Sequence, residues 1–369
     1  MFSLRRSLTA TLFLTILLAA MGGCSPAPAP ARTHAEIVLE AGKAGLKEIW
    51  HRRLPLLGGE KWINVWRVGD SIYATTTSAR LIRLNAISGA LAWDVELGNP
   101  EYPIFRPADV PNSDYLLVVN KGRGFLLHKK TGDILMQSHL SFAASTDPTI
   151  VGNCFLLGGV ESFRSAYLDF KGTSWNVTAP GHAFTVRPTL EGDSISFSTD
   201  TGRLWRVNAS DGKWIWRDRS TGPDSHVVGG LASDARAVYV PCLDGKVFAF
   251  DMNNGSNLWY TLLEGRLDQN LTCTRSDLLV PASGKGLYNL NTSRGDIRWF
   301  VPDATTVGTI IRGSVWVSDS EGNLKAISLD TGDILATANV GGKIVNNTVD
   351  QLVITITHSG ELTVYSVGK

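Results

Sequence analysis

The sequence predicts an all-β protein, an eight-bladed β-propeller of four-stranded blades whose ring is closed by an N-terminal strand. Three observations predict it: a repeated segment, its period, and two ends of the repeat region that complete each other. The repeat runs apolar strand, Asx/Ser/Thr-Gly turn, then Trp four residues on. It appears as LIRLNAISGALAW (81–93), LWRVNASDGKWIW (204–216), VFAFDMNNGSNLW (247–259) and LYNLNTSRGDIRW (287–299). Looser copies read FLLHKKTGDILM (125–136), AYLDFKGTSW (166–175) and LKAISLDTGDIL (324–335).

The turn glycines measure the period. Gly89, Gly132, Gly172, Gly212, Gly255, Gly295 and Gly332 are separated by 43, 40, 40, 43, 40 and 37 residues. That length holds four short strands with their turns, which is one propeller blade. Glycine closes each hairpin because the turn needs positive φ. The repeat tryptophans, Trp93, Trp175, Trp216, Trp259 and Trp299, are expected to lie flat between neighbouring blades, where a large ring covers much apolar area.

The last copy, SGELTVYSVGK (359–369), stops where a turn and a Trp strand should follow. The missing strand stands at the other end, GLKEIWHRRLPL (45–56), with Trp50 in the repeat position. Pairing the two removes sheet edges that would otherwise invite aggregation. Seven glycine turns and this shared blade give eight blades, over 45–369.

Residues 1–23 read as an export signal. MFSLRR is positive, LTATLFLTILLAAM is apolar and too short for a membrane-spanning helix, and Gly22-Gly23 precede Cys24. SPAPAPART (25–33) alternates Pro and Ala, which cannot pair in a sheet and makes an extended spacer. Residues 24–44 are expected to form a tether, with HAEIVLEAGK as a short helix within it. Loss of 1–23 removes Arg5 and Arg6 and leaves 33 basic against 34 acidic residues. That balance, with no basic stripe, excludes a nucleic-acid partner.

Three further cysteines, Cys154, Cys242 and Cys273, are an odd set. Cys242 and Cys273 fall in neighbouring blades, where they either bridge or sit as small buried hydrophobes. No GxSxG, HExxH, CxxC or P-loop occurs, and the seven histidines are scattered. Asp200, Asp211, Asp244, Asp251, Asp319, Asp330 and Asp333 cluster near turns without calcium-loop spacing, and read as turn caps. Trp62, Trp66, Trp205, Trp214 and Trp316 lie outside the repeat position. KWINVW (61–66) reads as a packed strand or as an exposed aromatic contact.

The repeats resemble the PQQ-like, or quinoprotein-type, propeller repeat, Ala-x-(Asp/Asn)-x-x-(Thr/Ser)-Gly-x-x-x-Trp. Two branches follow from that resemblance. One is the PQQ-dependent dehydrogenases, many of which carry an adjacent Cys-Cys pair that is absent here. The other is the BamB lipoprotein family of the outer-membrane β-barrel assembly machinery. TGRLWRVNASDGKWIW, DGKVFAFDMNNGSNLW and SDSEGNLKAISLDTGDIL look like its fourth, fifth and seventh blades. The segment before Cys24 is similar to a bacterial lipobox, with Met21 where Leu is usual, and Ser25 after it implies the outer membrane. The resemblance therefore implies an acylated Cys24, a lipid-anchored protein facing the periplasm, and a protein partner, the barrel-inserting subunit. It implies no catalytic residues and no cofactor. The family's Leu-x-Leu-Arg and Asp-x-Asp partner loops are replaced here by TAPGHAFTVRP (178–188) and TGPDSHVVGG (221–230), so no contact residue carries over. The alternatives are a PQQ-dependent or other small-molecule oxidoreductase, or a propeller lipoprotein of another envelope complex.

Overall fold

Each repeat forms one antiparallel sheet, and eight such sheets follow one another along the chain in the computed structural model. The structure describes residues 32–222 and 225–368. The export signal, Cys24 and the Pro/Ala segment up to residue 31 lie outside the described residues. Within a blade the strands run in chain order, as in blade 1: Trp62–Val68, Ser71–Thr76, Arg80–Asn85 and Leu91–Glu96. The two middle strands are buried along most of their length, whereas the last strand alternates and exposes one face. That pattern follows from packing sheets face to face around a ring, with the last strand on the rim.

Six tryptophans build the junctions between blades by one repeated contact. The rings of Trp50, Trp93, Trp175, Trp216, Trp259 and Trp299 lie on Gly89, Gly132, Gly212, Gly255, Gly295 and Gly332 of the following blade. A Cβ at any of these glycines would come within 2.6–2.7 Å of the ring, or 2.8 Å at Gly255. All six glycines have φ between 67° and 79°. Each indole N–H donates to the carbonyl three residues before the glycine, at 2.8–3.1 Å: Ala86, Lys129, Ala209, Met252, Thr292 and Leu329. The turn thus supplies both a surface bare enough for the ring and an acceptor for its polar edge.

Two junctions lack the Trp. Met136 takes the position in blade 2 and Ala336 in blade 7, opposite Leu126 and Ala326. After Met136, Gly172 has no positive φ and no ring of the preceding blade upon it; instead Phe170, at φ 58°, reaches back onto Gly124 of blade 2. Beside Ala336, helix α1 (His34–Lys43) supplies the cover, with Ile37, Ala41 and Ala44 in one apolar cluster with Ala336, Ala338 and Tyr365. The expected tether of 24–44 therefore ends sooner than its composition indicates. From His34 onward the chain belongs to the folded body.

The ring closes through Leu46–Arg53, which pairs antiparallel with Glu361–Val367 and sets Trp50 opposite Val364. Blade 3 departs from the four-strand pattern. Its middle strands run together as Cys154–Tyr167, giving a three-stranded sheet. Glu161 turns the chain there with φ 57°. The Leu168 N–H to Asn153 carbonyl bond closes the same hairpin that Ala86 and Asp70 close in blade 1. Its outer strand, Thr173–Ala183, is the longest rim strand of the ring.

Candidate functional site: the central channel

Residues in or beside the first strands of all eight blades line a central channel of about 720 Å³. Three of its lining residues carry charge, and all three stand immediately before a proline: Arg106-Pro107, Asp147-Pro148 and Arg187-Pro188. Each dipeptide leads into a short innermost strand, Ala108–Asp109, Thr149–Val151 and Thr189–Glu191. Proline disfavours the helical region for its predecessor and needs no ladder partner at a strand start. The dipeptides therefore hold three charged residues at equivalent places on blades 2, 3 and 4. The rest of the wall is apolar or neutral polar, with Trp66, Leu231, Asn270, Thr306 and Asn346 among it.

The electrostatics of this wall are lopsided. The Arg106 backbone N–H donates to Asp147 Oδ1 at 2.9 Å, and its Nη2 donates to the Arg67 carbonyl at 3.0 Å. Burial pulls the Arg106 pKa below the ordinary arginine value, and the positive charge of Arg187 pulls it further, against the attraction of Asp147. The Arg187 carbonyl accepts the Leu231 N–H at 3.1 Å, while its side chain makes no hydrogen bond or ion pair among the described residues. The neighbouring Arg67 is already committed, its buried side chain placing Nη2 2.7 Å from Oδ2 of the half-exposed Asp350.

A calcium–quinone centre of the dehydrogenase kind requires several oxygen ligands around the cation. Among the described residues the channel offers one carboxylate, Asp147, with two guanidinium residues on the flanking blades, so they do not fit that group. Among the described residues no three His, Cys, Asp or Glu gather as metal ligands.

The other sequence candidates are dispersed. Cys154, Cys242 and Cys273 are free thiols. Cys242 and Cys273 fall in different apolar clusters, and burial pushes each thiol up to about 12. The turn aspartates cap: Asp211, Asp244, Asp251 and Asp319 accept backbone N–H groups two residues on. KWINVW is a packed inner strand, with the Trp62 indole N–H donating to the Thr357 carbonyl at 2.9 Å and Trp66 beside the channel. Trp205 and Trp316 are buried, and Trp214 is exposed on the rim. The Arg-Pro, Asp-Pro, Arg-Pro series was absent from the sequence expectations. Its signal is a spacing of 41 and then 40 residues, one blade each.

The rim carries exposed apolar side chains on successive outer strands, including Met136, Tyr260, Leu262, Phe300 and Leu335. No helix among the described residues is long and apolar enough to cross a membrane.

A family model described as outer membrane protein assembly factor BamB matches residues 43–218 and 207–369. Outer membrane protein assembly factor BamB of Yersinia pestis is 23% identical over 166 residues, 41% of this chain and 42% of that protein. The corresponding protein of Legionella pneumophila (strain Paris) is 24% identical over 169 residues, 42% of this chain and 44% of its own length. These alignments span under half of the curated relatives. The crystal structure of BamB from Moraxella catarrhalis superposes with a TM-score of 0.69 at 17% identity, covering 87% of this chain and 99% of that one. A europium-containing methanol dehydrogenase superposes at 0.65 with 10% identity, covering 88% and 85%. At such identities the structural likenesses speak for the fold.

Proposed function

Because the chain belongs to the family of outer membrane protein assembly factor BamB, we propose that it is a non-catalytic scaffold in outer-membrane β-barrel assembly. In this reading it is a lipoprotein, processed after residue 23, acylated at Cys24 and held at the outer membrane facing the periplasm. The observation that carries the reading is the span of the family match, which runs from residue 43 through the whole ring. A rigid ring of paired blades suits a protein that positions others. Its rim strands end in unpaired edges with exposed apolar side chains such as Tyr260 and Leu262, and an extended partner segment adds to such edges by strand pairing. The partner proposed is the barrel-inserting subunit.

The test is photo-crosslinking in cells from the blade 3–4 segment, with a reactive residue at Thr185, together with fractionation of Cys24→Ser. Capture of an outer-membrane assembly protein and release of the variant into the soluble periplasm are expected. A wild-type ring that captures no assembly protein sinks the scaffold reading; unchanged membrane retention of Cys24→Ser sinks the anchor. The oxidoreductase alternative rests on fold likeness. A cofactor present at a hundredfold excess over its dissociation constant stabilises by about 2.7 kcal/mol. PQQ with calcium is expected to leave the melting temperature unchanged and to give no dye-linked oxidation. A shift with turnover promotes the enzyme.

A further inference from the structure

We infer that the central channel holds a compact multivalent oxyanion, of the phosphate, sulfate or dicarboxylate class, between Arg106 and Arg187. The two arginines line the same 720 Å³ space from blades 2 and 4, with blade 3 between them. Asp147, the one carboxylate of the wall, sits between them in the ring and accepts the Arg106 backbone N–H. One carboxylate against two guanidiniums leaves a net positive charge in a confined space, where screening is weak.

Arg187 carries the argument furthest. Its neighbours Val186 and Pro188 are buried and fix the backbone, yet its own side chain has no partner among the described residues. Burial disfavours the charge of Arg106, and the positive charge of Arg187 adds to that cost. Like charges placed together without a partner destabilise a fold unless something of opposite sign joins them. A guanidinium presents a planar fork of donors that matches an oxyanion. The neutral polar residues Asn270, Thr306 and Asn346 line the same space from blades 6, 7 and 8, with Asn270 Oδ1 accepting the Gly230 N–H and Asn346 Nδ2 donating to the Val307 carbonyl. Chloride lacks the several acceptor oxygens this arrangement addresses. The site is independent of the scaffold reading, since a ring that binds no assembly partner still binds the anion.

The experiment titrates full-length folded protein, at constant ionic strength, with sodium phosphate, sulfate, succinate and chloride, reading heat of binding and melting temperature. The first three are expected to bind at a single site and to raise the melting temperature, with chloride giving neither. Arg187→Gln is expected to weaken binding at least tenfold while leaving the anion-free melting temperature equal or higher, because it relieves the repulsion. A merely structural arginine would instead lower it. Asp147→Asn is expected to tighten binding, and Arg294→Gln, at an exposed surface pair, to change nothing. Absence of any wild-type response, or an undiminished response in Arg187→Gln, overturns the proposal.

Discussion

Six of the eight blade junctions are made by Trp on glycine, and two are not. In the six, a ring from one blade lies on a bare turn of the next and donates its N–H to the same turn. At the junction after blade 2 the wedge reverses, and Phe170 of blade 3 leans back onto Gly124. At the junction after blade 7 the small Ala336 leaves room that helix α1 fills from outside. A junction therefore needs apolar volume against a neighbouring sheet, and the source of the volume is free. What the Trp solution adds is coupling: the glycine, its positive φ and the carbonyl before it are all required at once. Where the Trp goes, the glycine constraint goes too, as Gly172 illustrates.

The largest test removes a junction entirely. Deleting 45–56 takes away Trp50 and the strand paired with Glu361–Val367, leaving an open edge. Aggregation on size-exclusion chromatography is expected. A monomer with wild-type melting behaviour would mean that the ring does not depend on this strand. Next, Trp216→Ala is expected to cost about 3–5 kcal/mol in denaturant unfolding, because the ring is buried and nothing else fills the gap. Met136→Ala, at a half-exposed side chain, should cost about 1 kcal/mol or less. Equal losses would erase the distinction between the two kinds of junction. A smaller effect is expected at the turns. Gly212→Ala combines φ 70° with a Cβ 2.7 Å from Trp175, for a cost of about 2–3 kcal/mol. Gly172→Ala meets nothing nearer than Tyr167 at 3.8 Å and should stay within about 0.5 kcal/mol.

The smallest effect separates apolar junctions from the polar clamp beside the closing strand. Arg80 Nη1 donates to the Pro55 carbonyl at 3.3 Å and to Glu60 Oε2 at 2.7 Å, while Nη2 meets Asp94. Burial disfavours the Glu60 charge, but the Thr76 hydroxyl, the Leu57 N–H and Arg80 outweigh it, so the carboxyl lies below its ordinary pKa. A depressed folded pKa gives stability that is present above about 4.3 and lost as pH falls through the lower value. Glu60→Gln should flatten the acid limb of melting temperature against pH. The Trp–glycine contacts do not titrate and should leave that limb unaltered when mutated.

The ring was legible in the sequence because each blade states its own turn chemistry and the turn recurs at a fixed interval. Trp50 in GLKEIWHRRLPL could be placed in the last blade for the same reason. Substitutes were not legible. Phe170 lies within the loose copy AYLDFKGTSW and α1 was expected as a helix, but nothing in either segment marks that it acts across a junction. The continuous strand Cys154–Tyr167 was missed because a single residue, Glu161, makes its turn without a glycine. The channel charges escaped because reading for catalytic motifs looks for residues near one another in sequence. Arg106, Asp147 and Arg187 are a blade apart and converge only when the ring closes. Their prolines were the available sign, since strands that begin on X-Pro in three successive blades place X at equivalent positions around one axis.

The closing strand has a consequence for the order of events. His51 and Thr363 meet at 3.0 Å across 312 residues of chain. Joining segments that far apart in an unfolded chain costs roughly 5 kcal/mol of configurational entropy. Blades 1 to 7 are hairpins of local sequence and form without that cost. The earliest strand of the ring is thus the last to be paired, and it waits, unsatisfied and apolar on one side, until Glu361–Val367 exists to receive it. A folding block at the far end of the chain would leave the near end exposed. The slow phase of refolding should therefore report on Trp50 rather than on the tryptophans inside the intervening blades.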